Sequence, residues 1–199
     1  MVARGDQVVA PAGPRRAYGG LDREEVVVAL RDLAKRVGVQ RVTMRALAAE
    51  LGAAVPSVYY HVPSKQAALE LVAESVLAEI PMSENGSWDT RLVELYSAAR
   101  ELILGVPGVA SILQTSSGSE PARRLDRHSR SLLAEAGLAK TAAAAAHTVL
   151  YTYLLGSIAL EETRSAAATP RARRQTAAHF RAGLDVIVAG VTSCAQVDD

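Results

Sequence analysis

The sequence predicts an all-α protein, a small N-terminal three-helix head on a larger helical body. Three observations carry that expectation. Apolar residues recur three and four positions apart, the period of one helix face, and no stretch of any length alternates as a strand does. Alanine and leucine dominate the apolar residues while aromatics make up only 4% of the chain, a bias towards helix formers. Glycine and proline are concentrated at a few places, as punctuation in a helical protein.

Residues 1–20 hold Pro11, Gly13, Pro14, Gly19 and Gly20, with Arg15 and Arg16 side by side. They read as a flexible arm, either a solvated leader or a basic extension that reaches DNA. The head spans 21–65. Its first helix starts at Asp22, a cap with Glu25 as its capping-box partner, and Leu21 can staple onto Val26. Val26, Leu30, Leu33, Ala34 and Val37 form its stripe, and Gly38 ends it. A short second helix runs from the cap Thr43 to Leu51 and stops at Gly52. A third starts at Pro56, which suits a first helical position, and ends near His61 because Pro63 disfavours helical geometry at Val62.

The body spans 66–199. Ser64 caps a fourth helix with Leu69, Val72, Val76 and Ile80 on one face and Pro81 at its close. Five further helices are expected near 88–105, 107–115, 119–136, 139–164 and 171–194, with Pro107, Gly118, Pro121, Gly137 and Pro170 at the joints.

The net charge is only +1, but it is unevenly placed. Residues 1–65 carry ten Lys/Arg against six Asp/Glu, and the remainder twelve against fifteen. A basic head on an acidic body is the asymmetry expected when one end meets phosphate. A single cysteine, Cys194, excludes an intramolecular disulfide or a cysteine metal cluster and fits a reducing cytoplasm. The first twenty residues lack the apolar core of an export signal. Thr141 to Leu160 carries no Asp, Glu, Lys or Arg, yet its threonines, Ser157, His147 and alanine-rich composition read as a buried core helix, not a membrane span.

Two short helices joined by a glycine turn, with a preceding helix to pack on, make a helix-turn-helix. Leu47, Leu51 and Val58 supply its small core. The outer face of the second of these helices offers Ser57, Tyr59, Tyr60 and His61, hydrogen-bonding residues for which a plain bundle corner has no use.

The segment resembles the DNA-binding domain of the tetracycline-repressor (TetR) family. The pattern is Thr43-x-Arg45-x-Leu47-Ala48-x-x-Leu51-Gly52, then Ser57-Val58-Tyr59-Tyr60-His61-Val62-x-Ser64-Lys65-x-x-x-Leu69, and the resemblance covers roughly residues 22–75. It implies that Thr43 binds phosphate and that Arg45 reaches a base edge or phosphate. It places Val55, Pro56 and Ser57 where base contacts concentrate, and gives Tyr59, Tyr60, His61 and Lys65 phosphates to hold. Val55 and Pro56 have no side-chain hydrogen bond for a base and would touch a thymine methyl, so Arg45 and Ser57 carry more of the direct readout.

In the body, Ala177, Phe180, Leu184, Ile187, Val188 and Val191 share a face of the last helix, and Leu150, Leu154, Ser157, Ile158 and Glu161 a face of the one before. These two faces are expected to form a homodimer interface, the four-helix bundle the resemblance implies. A dimer also suits an operator reader with two heads ~34 Å apart. Polar candidates for a small-molecule pocket among the middle helices are Tyr96, Arg100, Gln114, Thr115, His128, His147, Tyr151 and Tyr153. The stretch Ser87–Glu162 resembles the tetracycline-responsive branch at Ser87-Trp88 and Leu155-Gly156-x-x-x-Leu160-Glu161-Glu162. Ile112, however, stands where that branch places a metal-binding histidine, so a moderately hydrophobic organic effector is expected in place of a tetracycline–magnesium complex, with no metal or cofactor.

The reading is therefore a cytoplasmic repressor that binds operator DNA as a homodimer, without a membrane, and is released by a small molecule. A DNA-binding regulator without small-molecule input is the alternative. An enzyme is disfavoured, because the chain has no Gly-x-Ser-x-Gly elbow, P-loop, Gly-x-Gly-x-x-Gly or His-Glu-x-x-His.

Overall fold

The structure, a computed structural model, describes residues 21–115, 118–164 and 169–196. The expected arm over 1–20 lies outside the described residues. Helices follow in the order α1 Arg23–Val37, α2 Met44–Glu50, α3 Val55–His61, α4 Lys65–Ala78, α5 Trp88–Leu104, α6 Val109–Thr115, α7 Glu120–Glu135, α8 Lys140–Arg164 and α9 Pro170–Ala195. Among the described residues there is no strand.

The starts of the helices follow from local chemistry. Asp22 and Glu25 close a capping box on α1, and the Thr43 and Ser64 side chains accept from the amides of Ala46 and Ala67 at the heads of α2 and α4. α3 begins one residue before the expected Pro56, with Ala54 at the cap position and Pro56 inside the first turn. Gly38 does not pass directly into a loop. A single 3-10 turn, Val39–Arg41, follows it and buries Val39 completely.

α1, α2 and α3 close around Val26, Leu30, Ala34, Leu47 and Val58, all fully buried. α4 is buried over Ala68, Leu69, Val72, Ala73, Val76 and Leu77, because it packs on α1 of the head and on α5, α6 and α7 of the body. It is the element shared by both parts. In the body, α7 packs on α5 and α8, and α9 packs on α5 and α8.

The faces of α8 and α9 expected to meet a second subunit turn inward. Leu150, Leu154 and Ile158 on α8, and Phe180, Leu184 and Val191 on α9, are all buried within the chain. Glu161 pairs with Arg100 of α5. The most exposed large aliphatic groups on these helices are on other sides: Val149 at 53%, Leu160 at 58% and Val186 at 73%. α8 is long and apolar enough to cross a bilayer by length and composition, but its Leu150, Leu154, Leu155 and Ile158 fill the body's core.

Candidate nucleic-acid interface and ligand cavity

The turn between α2 and α3 is set by backbone hydrogen bonds. Gly52 takes φ +60°, its N–H donates to the Ala49 carbonyl, and the Ala53 N–H donates to the Ala48 carbonyl at 2.9 Å. This paired closure satisfies the end of α2 and needs a residue that enters the left-handed region at little cost. It aims α3 outward while Val58 anchors it, so Tyr60 stands 80% and Tyr59 46% exposed. The Tyr60 and His61 rings meet edge to face at 5.3 Å. Pro56 and Arg45 are exposed, while Val55, Ser57 and His61 are half-buried. Thr43 accepts the Ala46 N–H, which leaves its own hydroxyl proton free to donate outward. Lys65 donates to the Gln40 carbonyl at 3.1 Å and so ties the start of α4 to the turn after α1.

The body holds a partly open cavity of about 100 Å³ between α4, α5, α6, α7 and α8. Its walls are mostly apolar, including Leu77, Ile80, Leu95, Ile103, Leu113 and Leu154. One corner is polar. His147 Nε2 lies 3.0 Å from Asp126 Oδ1, and His147 Nδ1 lies 3.1 Å from Ser129 Oγ. The Tyr96 hydroxyl is 3.0 Å from Ser129 Oγ and 3.3 Å from His147 Nδ1. Tyr151 stacks near His147 and donates to the Leu113 carbonyl at 2.9 Å.

Burial first, with Asp126 opposing it, holds His147 below the ordinary histidine range, so the neutral imidazole is favoured. Burial also pushes the Tyr96 phenol well above its usual range. Asp126, His147 and Ser129 have the residue types of a nucleophilic triad. Yet Ser129 is 1% exposed and its hydroxyl is shared with Tyr96 and His147, so it is a member of a buried network.

Of the pocket candidates, the cavity brings together Tyr96, His147 and Tyr151. Arg100 lies one turn beyond Tyr96 on α5, buried against Glu161, with its guanidinium over the Phe180 ring at 5.5 Å. Tyr153 stacks on Phe180 and donates to its carbonyl, away from the cavity. Gln114 and Thr115 are exposed at the end of α6. His128 faces Arg91, Arg124 and Glu135, and burial, followed by the Arg91 charge, lowers its pKa. Sequence reasoning misses Asp126 and Ser129. Their one signal is that they lie three apart on α7, on the face that also presents the buried Leu132 and Leu133. Ile112 is buried in the core, 7% exposed, and offers no metal donor, and no group of three metal-ligating side chains occurs among the described residues.

Two connections join body and head, one of them beside the cavity. Arg124, beside the cavity-lining Leu125 and Asp126, donates to the Ala78 carbonyl at 3.1 Å at the end of α4. The next residue of α4's terminus, Glu79, pairs with Arg31 of α1. On the other side, the Val39 N–H donates to the Pro107 carbonyl at 3.0 Å, and the Gly108 N–H donates to Glu162 at 2.7 Å.

Residues 26–72 match the family described as bacterial regulatory proteins, tetR family, and residues 80–178 match the tetracyclin repressor-like C-terminal domain. The tetracycline repressor protein class A from transposon 1721 of Escherichia coli is 31% identical over 71% of this chain and 67% of its own length. An HTH-type transcriptional regulator of Saccharopolyspora erythraea is 27% identical over 89% of this chain and 87% of its own. Among solved structures, a variant of TetR from Acinetobacter baumannii AYE in complex with minocycline is 28% identical. It covers 85% of this chain and 96% of its own, with a TM-score of 0.75. BioQ with its double-stranded DNA operator is 27% identical over 87% of this chain and 99% of its own, with a TM-score of 0.73. The chain belongs to the tetracycline-repressor family of DNA-binding transcriptional regulators.

Proposed function

We propose that the chain is a cytoplasmic repressor that holds its operator as a homodimer and lets go when a small apolar molecule fills the cavity of the body. The observation that carries this reading is the coexistence of an outward-facing α3, with Tyr60 80% exposed, and an apolar cavity wired to the helix that follows α3. Thr43, Tyr59, Tyr60, His61 and Lys65 hold phosphates, while Arg45, Val55, Pro56 and Ser57 meet base edges. BioQ's complex with operator DNA and the minocycline complex of the Acinetobacter protein support the two halves of the reading.

The dimer forms through the outer sides of α8 and α9, where Val149, Leu160 and Val186 are exposed and Gly156 and Gly190 leave open space. Release follows from linkage. A ligand weakens DNA binding only by preferring a body whose α4, and therefore head spacing, does not match the operator. The path runs from α7 through Arg124 to the end of α4, and from Glu79 to Arg31.

A reporter gene behind the DNA that adjoins the chain's own gene tests this. Wild-type protein lowers expression, Tyr60→Ala does not, and a member of a panel of small aromatic compounds restores it. Expression that rises with wild-type protein would make the chain an activator. Repression that no compound relieves would favour a regulator without small-molecule input.

A further inference from the structure

The polar corner of the cavity has a definite hydrogen-bonding sign. Asp126 Oδ1 accepts from Arg130 Nε at 2.7 Å, and His147 Nε2 lies 3.0 Å from the same oxygen, where a ring lone pair would be repelled by the carboxylate. A carboxylate only accepts, so the His147 proton sits on Nε2 and Nδ1 presents a lone pair. That lone pair takes one hydroxyl proton, from Ser129 at 3.1 Å or from Tyr96 at 3.3 Å. The other hydroxyl then donates to its neighbour across their 3.0 Å contact. The remaining hydroxyl of the lining, on Tyr151, is committed to the Leu113 carbonyl. In either arrangement every side-chain proton of the corner is in use, and only oxygen lone pairs remain.

An incoming group that accepts must break one of these bonds to obtain a proton. A group that donates breaks none. Around the corner stand Leu95, Ile103, Leu113 and Leu154, and the space is about 100 Å³. This small, partly open space admits a single ring more readily than a fused polar system.

We propose that the effector is a compact aromatic molecule bearing a hydrogen-bond-donating hydroxyl, a phenol, held by the oxygens of Tyr96 and Ser129 and selected against ethers and ketones of the same shape. This rests on the reading of the cavity as the effector site. It assigns Asp126 and His147 as positioning residues, because they set the sign of the corner through the hydroxyls of Tyr96 and Ser129.

The experiment compares 4-ethylphenol, 4-ethylanisole and 4-methylacetophenone on the full-length chain by ligand-observed NMR titration. Wild-type protein binds the phenol about tenfold more tightly than either acceptor-only compound, the worth of roughly one hydrogen bond. His147→Leu keeps the volume but removes the lone pair that consumes a hydroxyl proton. Asp126→Asn made together with Arg130→Leu, which removes the donor that would hold the amide oxygen in place, offers an N–H to His147 and turns its tautomer round, so Nδ1 becomes a donor. Either variant frees a proton, and the preference falls to parity or inverts in favour of the ketone. Circular dichroism selects whichever variant folds as wild type does. If all three compounds bind wild type equally, or the phenol keeps its advantage in a folded variant, the assignment of ligand class is overturned while the cavity reading stands. If none of the three binds wild type, the cavity reading falls and the ligand class with it.

Discussion

Gly108 sits at the seam between head and body, and its replacement by alanine has a cost that follows from the geometry. Its φ is +88°, and a Cβ built there would lie 2.6 Å from Cγ2 of Val39. Val39 is 0% exposed and β-branched, so it has little room to turn away. Left-handed backbone costs a non-glycine residue about 1–2 kcal/mol, and overpacking a filled site adds about 1–3. Some of that strain is relieved by shifting the backbone, which loosens the Gly108 N–H bond to Glu162. Gly108→Ala therefore destabilises the chain by about 3 kcal/mol, a fall in Tm of roughly 6–12 °C for a protein of this size.

Urea unfolding measures it, and a double-mutant cycle isolates the cause. Val39→Ala removes the opposing methyl groups at its own cost of about 2 kcal/mol. In its presence, Gly108→Ala costs about 1–2 kcal/mol less than in wild type. Hydrogen exchange at the Val39 amide, which donates to Pro107, quickens in Gly108→Ala. A Gly108→Ala protein as stable as wild type, or a cycle with no interaction energy, would refute the reasoning.

Other outcomes follow from single contacts. Thr43→Ala and Ser64→Ala each remove a helix cap and cost about 1 kcal/mol in urea unfolding, while Thr43→Ser costs about a few tenths. Glu161→Ala leaves the Arg100 guanidinium, 4% exposed, without its more buried partner and costs about 3 kcal/mol, whereas Glu101→Ala, 68% exposed, costs less than about 1. His147 and His128 are held below the ordinary histidine range, both chiefly by burial. The unfolded chain then binds protons that the folded one refuses, so their contribution is complete above about pH 6.5 and is lost as the pH falls through the depressed values. Tm drops more between about pH 7.5 and 5.5 in wild type than in a His147→Leu, His128→Asn double variant; parallel curves would contradict this.

Helix bounds are readable wherever a side chain announces them. Asp22, Thr43 and Ser64 cap as their types demand, and Gly52 stops α2 as expected. α3 starts earlier than Pro56 suggests because Ala54, at its cap position, gives no side-chain signal. The 3-10 turn after Gly38 is invisible to periodicity because a three-residue element spans a single turn.

The subunit faces escape sequence reasoning for a different reason. α8 and α9 are apolar on more than one side, and spacing cannot say which stripe meets the chain's own core. Phe180 and Leu184 serve α5 and α8, leaving Val186 outside. The cavity is a tertiary object. Tyr96, Asp126, Ser129 and His147 come from three helices, so no local pattern links them. Arg100 shares a face with Tyr96 four residues away, but the turn between them is enough to carry it from the cavity to Glu161.

The central claim, that this chain grips DNA through α3, is tested most directly by fluorescence anisotropy on a labelled fragment of the DNA beside its own gene. The account predicts specific, salt-sensitive binding by wild type that Tyr60→Ala loses while keeping its circular dichroism and Tm. Binding by the Tyr60→Ala protein equal to wild type, or no preferred site in a genomic-fragment selection with the wild-type protein, would contradict it.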